Sequence, residues 1–224
     1  MFSDIFTANY YDGLNSSLFQ DRVPDRDRGD SLLKVFSTLE SDFSPPYNII
    51  ETGCVRPYET VSRRNIPDND RLRDEGSSTV IFDEFVNYYD GTVRTVDLNQ
   101  DACNYCNEIT SVKTTATCLD SIEFLWQTDL SNTCLFYLDS YDVDFVNPIS
   151  ANFHHMKELV CISKYLKETI VVVDDCRFSQ QHCNSQSKSD LPAEIYGKGF
   201  MVKLFMENIG AELIHDGYQQ VWRV

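Results

Sequence analysis

No run of this chain approaches the roughly 18 apolar residues of a membrane span; the strongest is the short Ile170 to Val173. The amino-terminal MFSDIFTANYYDG lacks the basic n-region and the apolar h-region of an export signal, so a cytoplasmic protein is expected. Basic residues are scarce: 19 Lys plus Arg stand against 35 Asp plus Glu, a formal charge of −16. That average field repels polyphosphates and anionic lipid, so neither nucleic acid nor a membrane is an expected partner. Internal repeats and low-complexity segments are missing, which excludes a solenoid. Cys103 and Cys106 form a CxxC, but no second CxxC or Cys/His pair follows to complete a tetrahedral zinc site. The eight cysteines are scattered rather than clustered and read as reduced thiols. The fingerprint GxGxxG is absent as well, which disfavours an NAD enzyme.

What is present points to a folded chain. Its 224 residues are 42% hydrophobic, 12% aromatic and 24% charged, which suits one large domain with a full-sized core. Residues 1–47 read as an N-terminal helical cover, with one amphipathic helix in DSLLKVFSTLESDF stopped by Pro45 and Pro46. From Asn48 onward, short apolar runs alternate with helical patterns, the signature of βα units around a mainly parallel sheet. Strands are expected at Asn48 to Glu51, Val93 to Asp97, Lys113 to Leu119, Cys134 to Asp139, Thr169 to Asp174, Glu212 to His215 and Gln220 to Val224. Helices are expected near Ser77 to Tyr88, Asp101 to Thr110, Ser121 to Trp126, Ala151 to Tyr165 and Lys198 to Ile209. The Asp216-Gly217 turn makes the last two strands an antiparallel hairpin. The expected fold class is therefore α/β: a Rossmann-like, seven-stranded, mainly parallel sheet over residues 48–224, with a C-terminal antiparallel hairpin and helices on both faces. A polar insertion at 54–76 carries Arg56, Arg63, Arg64, Arg71 and Arg73, which fit a lid or an anion-binding segment as well as a solvated loop.

Four of the five leading strands end in an acid, namely Glu51, Asp97, Asp139 and Asp174, and Asp120 follows the third. Ligands of open α/β sheets bind outside the carboxyl ends of the strands, so these positions converge on one crevice. In IIETGC, Glu51 precedes Gly53, whose missing side chain lets backbone approach a ligand. In TVDLNQDA, Asp97 can accept from both hydroxyls of a ribose. In CLDS, Asp120 suits an adenine amino group, while Ser121 suits the cap of the next helix. Asp139, with the pair Asp174 and Asp175, would place three carboxylates on adjacent strand ends with no Lys close by in sequence. Such a group needs a cation or a proton, and oxygen-only ligands favour Mg²⁺.

In this order the residues resemble the class I methyltransferases that use S-adenosylmethionine (SAM). The strand-four acid with a strand-five Asp-Asp is similar to the magnesium-dependent, macrocin-type sugar O-methyltransferases; some phage and large-virus proteins look similar too, which would suit a host cytoplasm. The resemblance implies that Glu51, Gly53, Asp97, Asp120 and Ser121 hold SAM, and that Asp139, Asp174 and Asp175 hold Mg²⁺ beside two acceptor oxygens. The chain departs from that pattern at Tyr141, where the macrocin type carries an acid. Asp142 and His155 are the base candidates in its place. The implied acceptor is a small molecule or a glycan, on which Tyr218 and Trp222 could stack or, alternatively, serve the core; a homodimer is left open. The alternatives are a metal-independent methyltransferase of another small molecule or a protein side chain, and a non-catalytic SAM- or nucleotide-binding module on the same fold.

Overall fold

The computed structural model describes residues 1–15, 28–57, 77–144, 147–179 and 194–224. Strands β1 (Tyr47–Thr52), β2 (Gly91–Asp97), β3 (Thr114–Cys118), β4 (Thr133–Leu138) and β5 (Ile170–Val173) run parallel. The hairpin of β8 (Glu212–Asp216) and β9 (Gln220–Arg223) joins them, with β9 antiparallel to β5. The order across the sheet is β3-β2-β1-β4-β5-β9-β8, so the chain reverses direction of growth between β1 and β4, which creates a switch-point crevice. This is the expected seven-stranded sheet. A separate two-stranded sheet, β6 (Arg177–Ser179) with β7 (Glu194–Tyr196), was not expected; its strands of three residues are too short to show an alternation.

The helices are α1 (Phe2–Asn9), α2 (Tyr11–Asn15), α3 (Arg28–Asp42), α4 (Ser78–Tyr88), α5 (Gln100–Ile109), α6 (Ser121–Gln127), α7 (Ile149–Ile162) and α8 (Phe200–Asn208). Successive strand residues point to opposite faces, and both faces are covered. Ile49, Leu135, Tyr137, Ile170, Val172 and Val221 join one core with α1, α3 and α4. Their neighbours Ile50, Phe136, Leu138, Val171, Val173 and Trp222 join the other with α6, α7 and α8. That two-sided burial is why the strands read as unbroken apolar runs.

The cover differs from the expectation of a single helix. Phe2 and Phe6, four residues apart on α1, are fully buried against Phe36 of α3, at centroid separations of 5.0 and 5.1 Å. Eight residues are too few for an isolated helix to persist in water, so contact with the sheet's own core stabilises α1. Among the described residues, no helix is long and apolar enough to cross a membrane.

Candidate active site

The parallel register brings the strand ends to one edge. Thr52 pairs with Val96 and Leu138, Asp97 with Cys118, and Leu138 with Val173, so Gly53, Asp139 and Asp174 each lie one residue past a paired position. A cavity of ≈ 270 Å³ opens there. Gly53, Asp97, Asp120, Ser121 and Asp142 all line it, and Val96, Leu98 and Leu119 supply apolar wall.

Gly53 sits where β1 must clear the end of β4. Its φ is +90°, its N–H donates to the Val96 carbonyl at 2.8 Å, and a Cβ would lie 2.8 Å from the Asp139 carbonyl oxygen. Gly53→Ala therefore adds left-handed backbone strain and a contact with rigid backbone, and is expected to lose about 2 kcal/mol of unfolding free energy. A urea midpoint equal to wild type would reject this account.

Asp97 is nearly buried; Oδ1 accepts the Asn99 N–H at 2.8 Å, and Oδ2 lies 3.4 Å from Arg56 Nε. Arg56, the one arginine of the 54–76 insertion within the described residues, also lies 3.7 Å from Asp142 on the opposite rim. It thus spans the cavity mouth; Arg63, Arg64, Arg71 and Arg73 lie outside the described residues. Asp120, and not Ser121, caps α6: its Oδ1 accepts from the N–H groups of Ile122 and Glu123 at 3.0 and 3.2 Å. Ser121 Oγ instead lies 2.9 Å from His154 Nε2.

Glu51 is not on the cavity wall. It is fully buried and accepts from Ser78 Oγ and Thr79 Oγ1, each at 2.6 Å, which ties β1 to the first turn of α4. Burial pushes its pKa up to about 7 despite these donors.

The adjacent histidines of α7 diverge as helical geometry requires, and the phase is the reverse of the expectation. His155 is fully buried, with Nδ1 2.9 Å from the Ala151 carbonyl and its pKa pulled down to about 4 by desolvation. It cannot meet an acceptor. His154 faces the cavity, stacked on Tyr141 at 5.0 Å, with Nε2 3.6 Å from Glu158 Oε1. Burial alone would raise the Glu158 carboxyl, but His155, His154, Ser121 and Ser140 hold it down to about 2. The only signal in the sequence for the His154–Glu158 pair is its i,i+4 spacing.

Asp139, Asp174 and Asp175 do meet, beside the cavity, but with cations among them. Arg28 of α3 grips Asp174 with Nε and Nη2 at 3.3 and 2.6 Å. Lys198 Nζ lies 2.9 Å from Asp139 Oδ1 and 3.0 Å from Asp175 Oδ2. Burial would strip the Lys198 proton, yet Asp139, Asp175 and Asp174 hold its pKa above the usual lysine range. Asp175 falls below the usual carboxylate range for the same reason: Lys198 and Arg28 outweigh its burial. Among the described residues, no group of three or more acidic, His or Cys side chains is disposed to hold a metal ion. The three carboxylates thus do not fit Mg²⁺ as they stand. Tyr218 donates to Asp175 and lies under Arg28, while Trp222 is in the core, so neither offers a face to a sugar.

The sheet order and the switch-point cavity define a Rossmann-like α/β protein, a fold that solved structures share. A Staphylococcus aureus protein with a proposed caffeoyl-CoA O-methyltransferase activity aligns over 100% of both chains, with TM-score 0.53 and 14% identity. SAM-dependent methyltransferases from Anabaena variabilis (TM-score 0.49, 11% identity, 100% and 95% of the chains) and Archaeoglobus fulgidus (0.46, 14%, 81% and 69%) are also similar. No protein-family model matches the chain, and no curated protein matches it. At 14% identity the likeness establishes the fold.

Proposed function

We propose that the chain is a SAM-dependent methyltransferase acting on a hydroxyl of a small neutral acceptor, with a sugar or glycan as the favoured class. One observation carries the reading: Gly53, Asp97, Asp120 and Ser121, from three separate strand ends, line a single cavity at the switch point. A nucleoside needs such a set: a carboxylate for the ribose, an apolar slot for the base, and polar groups at the base edge. Leu98 and Leu119 supply the slot, and Arg56 must leave Asp97 Oδ2 for a ribose hydroxyl to reach it.

When bound, SAM would supply an electrophilic sulfonium methyl to the acceptor oxygen, with S-adenosylhomocysteine as the leaving group. The protein's part is to orient the two and to take the hydroxyl proton. With Asp97 and Asp120 given to the nucleoside, His154, backed by Glu158, and Asp142 on the rim are the proton acceptors left in the cavity lining. His155 drops out of that role, and no step is assigned to Mg²⁺. A neutral acceptor suits the charge of −16, and the exposed ring of Tyr141 gives a sugar face something to stack on.

Calorimetry with S-adenosylhomocysteine tests the reading. Asp97→Ala should bind at least tenfold more weakly than wild type, since each hydrogen bond to a charged group is worth about 1.5–3 kcal/mol. Equal affinity in a folded variant would reject the ribose placement. Methyl transfer confined to peptides or oligonucleotides in a mass-spectrometric screen would reject the acceptor class.

A further inference from the structure

We propose that Lys198 is a built-in substitute for a divalent cation: its ammonium closes the three-carboxylate site at the ends of β4 and β5, and the chain acts without a bound metal. The Nζ lies 2.9 Å from Asp139 Oδ1, 3.0 Å from Asp175 Oδ2 and 3.4 Å from the Asp139 carbonyl, three oxygens. That is the donor set a hard cation would take. The side chain is 2% exposed, so these oxygens replace its water.

The lysine is anchored there by its backbone. Its own N–H donates to the Asp175 carbonyl at 2.9 Å, and the Gly197 N–H donates to the Cys176 carbonyl at 2.7 Å. Gly199 packs so tightly that a Cβ would fall 2.4 Å from Cys176 Sγ and 2.7 Å from Gln220 Oε1, so a bulkier residue would require those side chains to shift. The third carboxylate is committed elsewhere, with Asp174 held by Arg28 and by Gln219 Nε2 at 3.1 Å. Burial, with Asp174 and Asp175 close by, pushes the Asp139 carboxyl above the usual carboxylate range despite Lys198, so three acids and two fixed cations leave at most a single negative charge. A divalent ion would have to sit among the same oxygens, a few ångströms from an ammonium, at a large repulsive cost in a dry site. Asp139 keeps 26% of its side chain exposed and leads directly into Ser140 and Tyr141 of the cavity wall, so the Lys198 charge reaches the acceptor side through one carboxylate.

Closure of the site stands apart from the methyltransferase reading; metal-free turnover rests on it. The test is a Mn²⁺ titration of the full chain followed by electron paramagnetic resonance. Wild type should show no Mn²⁺ binding that Asp139→Asn removes. Lys198→Met and Lys198→Ala should open the site and bind Mn²⁺ at least tenfold more tightly than wild type, and adding Asp175→Asn should abolish the gain. Wild-type binding that depends on Asp139 overturns the proposal, as does failure of both variants to gain affinity while circular dichroism shows them folded. If neither variant folds, the wild-type and Asp139→Asn arms decide. Methyl transfer undiminished by excess chelator supports metal-free turnover, and loss restored by Mg²⁺ overturns it. If no acceptor is turned over, the function reading fails while the Mn²⁺ result still decides whether Lys198 closes the site.

Discussion

Arg28→Ala is expected to destabilise the protein by about 3–5 kcal/mol, the largest single effect the structure supports. The guanidinium makes two bonds to Asp174, lies 3.8 Å from Asp175 and stacks over Tyr218 at 4.9 Å, with 7% of its side chain exposed against 1% for Asp174. Truncation leaves a buried carboxylate without its main counter-charge, which costs more than the pair contributes. Arg28→Ala combined with Asp174→Asn should be less damaging than Arg28→Ala alone, because no orphaned charge remains. Urea denaturation of the four proteins measures the cycle. A loss under about 1 kcal/mol for Arg28→Ala would show the pair to be water-accessible and screened.

The second large effect depends on pH. Glu51 titrates at about 7 in the fold against 4.5 for a free glutamate. Between those values the folded protein keeps a proton that the unfolded chain has released. Unfolding free energy therefore falls as pH rises from about 4.5 to about 7 and stays lowered above that. The gap corresponds to a loss on the order of 3 kcal/mol. Glu51→Gln cannot ionise; one of the Ser78 and Thr79 hydroxyls can still donate to its amide oxygen, and the other can turn to accept from its NH2. It should be the more stable protein at pH 8 and match wild type near pH 4.5. Parallel stability curves for the two proteins across that window would sink the assignment. His155 predicts the opposite slope: with its pKa depressed to about 4, its contribution is present above about 6.5 and lost as pH falls through about 4.

The strand pattern was legible because a strand buried on both faces is apolar at every position, as Ile170–Val173 is. The edge carrying the site was legible too. Parallel pairing aligns strand ends, so Gly53, Asp97 and Asp120 could be assigned to one crevice from their places in the chain. Local sequence also determined the caps, where Asp120 precedes α6 and Asn99 precedes α5, although which residue of Asp120-Ser121 does the capping needed coordinates.

Tertiary structure decided the rest, because the contacts join residues that nothing local relates. Lys198 meets Asp139 across 59 positions and Arg28 meets Asp174 across 146, so a trio of acids that looked like a metal site became an ion-pair cluster. The rotational phase of α7 is set by what packs beneath it, and that phase turned His154 to the cavity and sealed His155. Helix α1 exists because Phe2 and Phe6 find Phe36 and Phe85 across the chain. Local pattern determines which residues lie on strand ends and buried faces, since pleat and helix pitch are short-range properties; which charge meets which depends on chain crossings that carry no periodic signal.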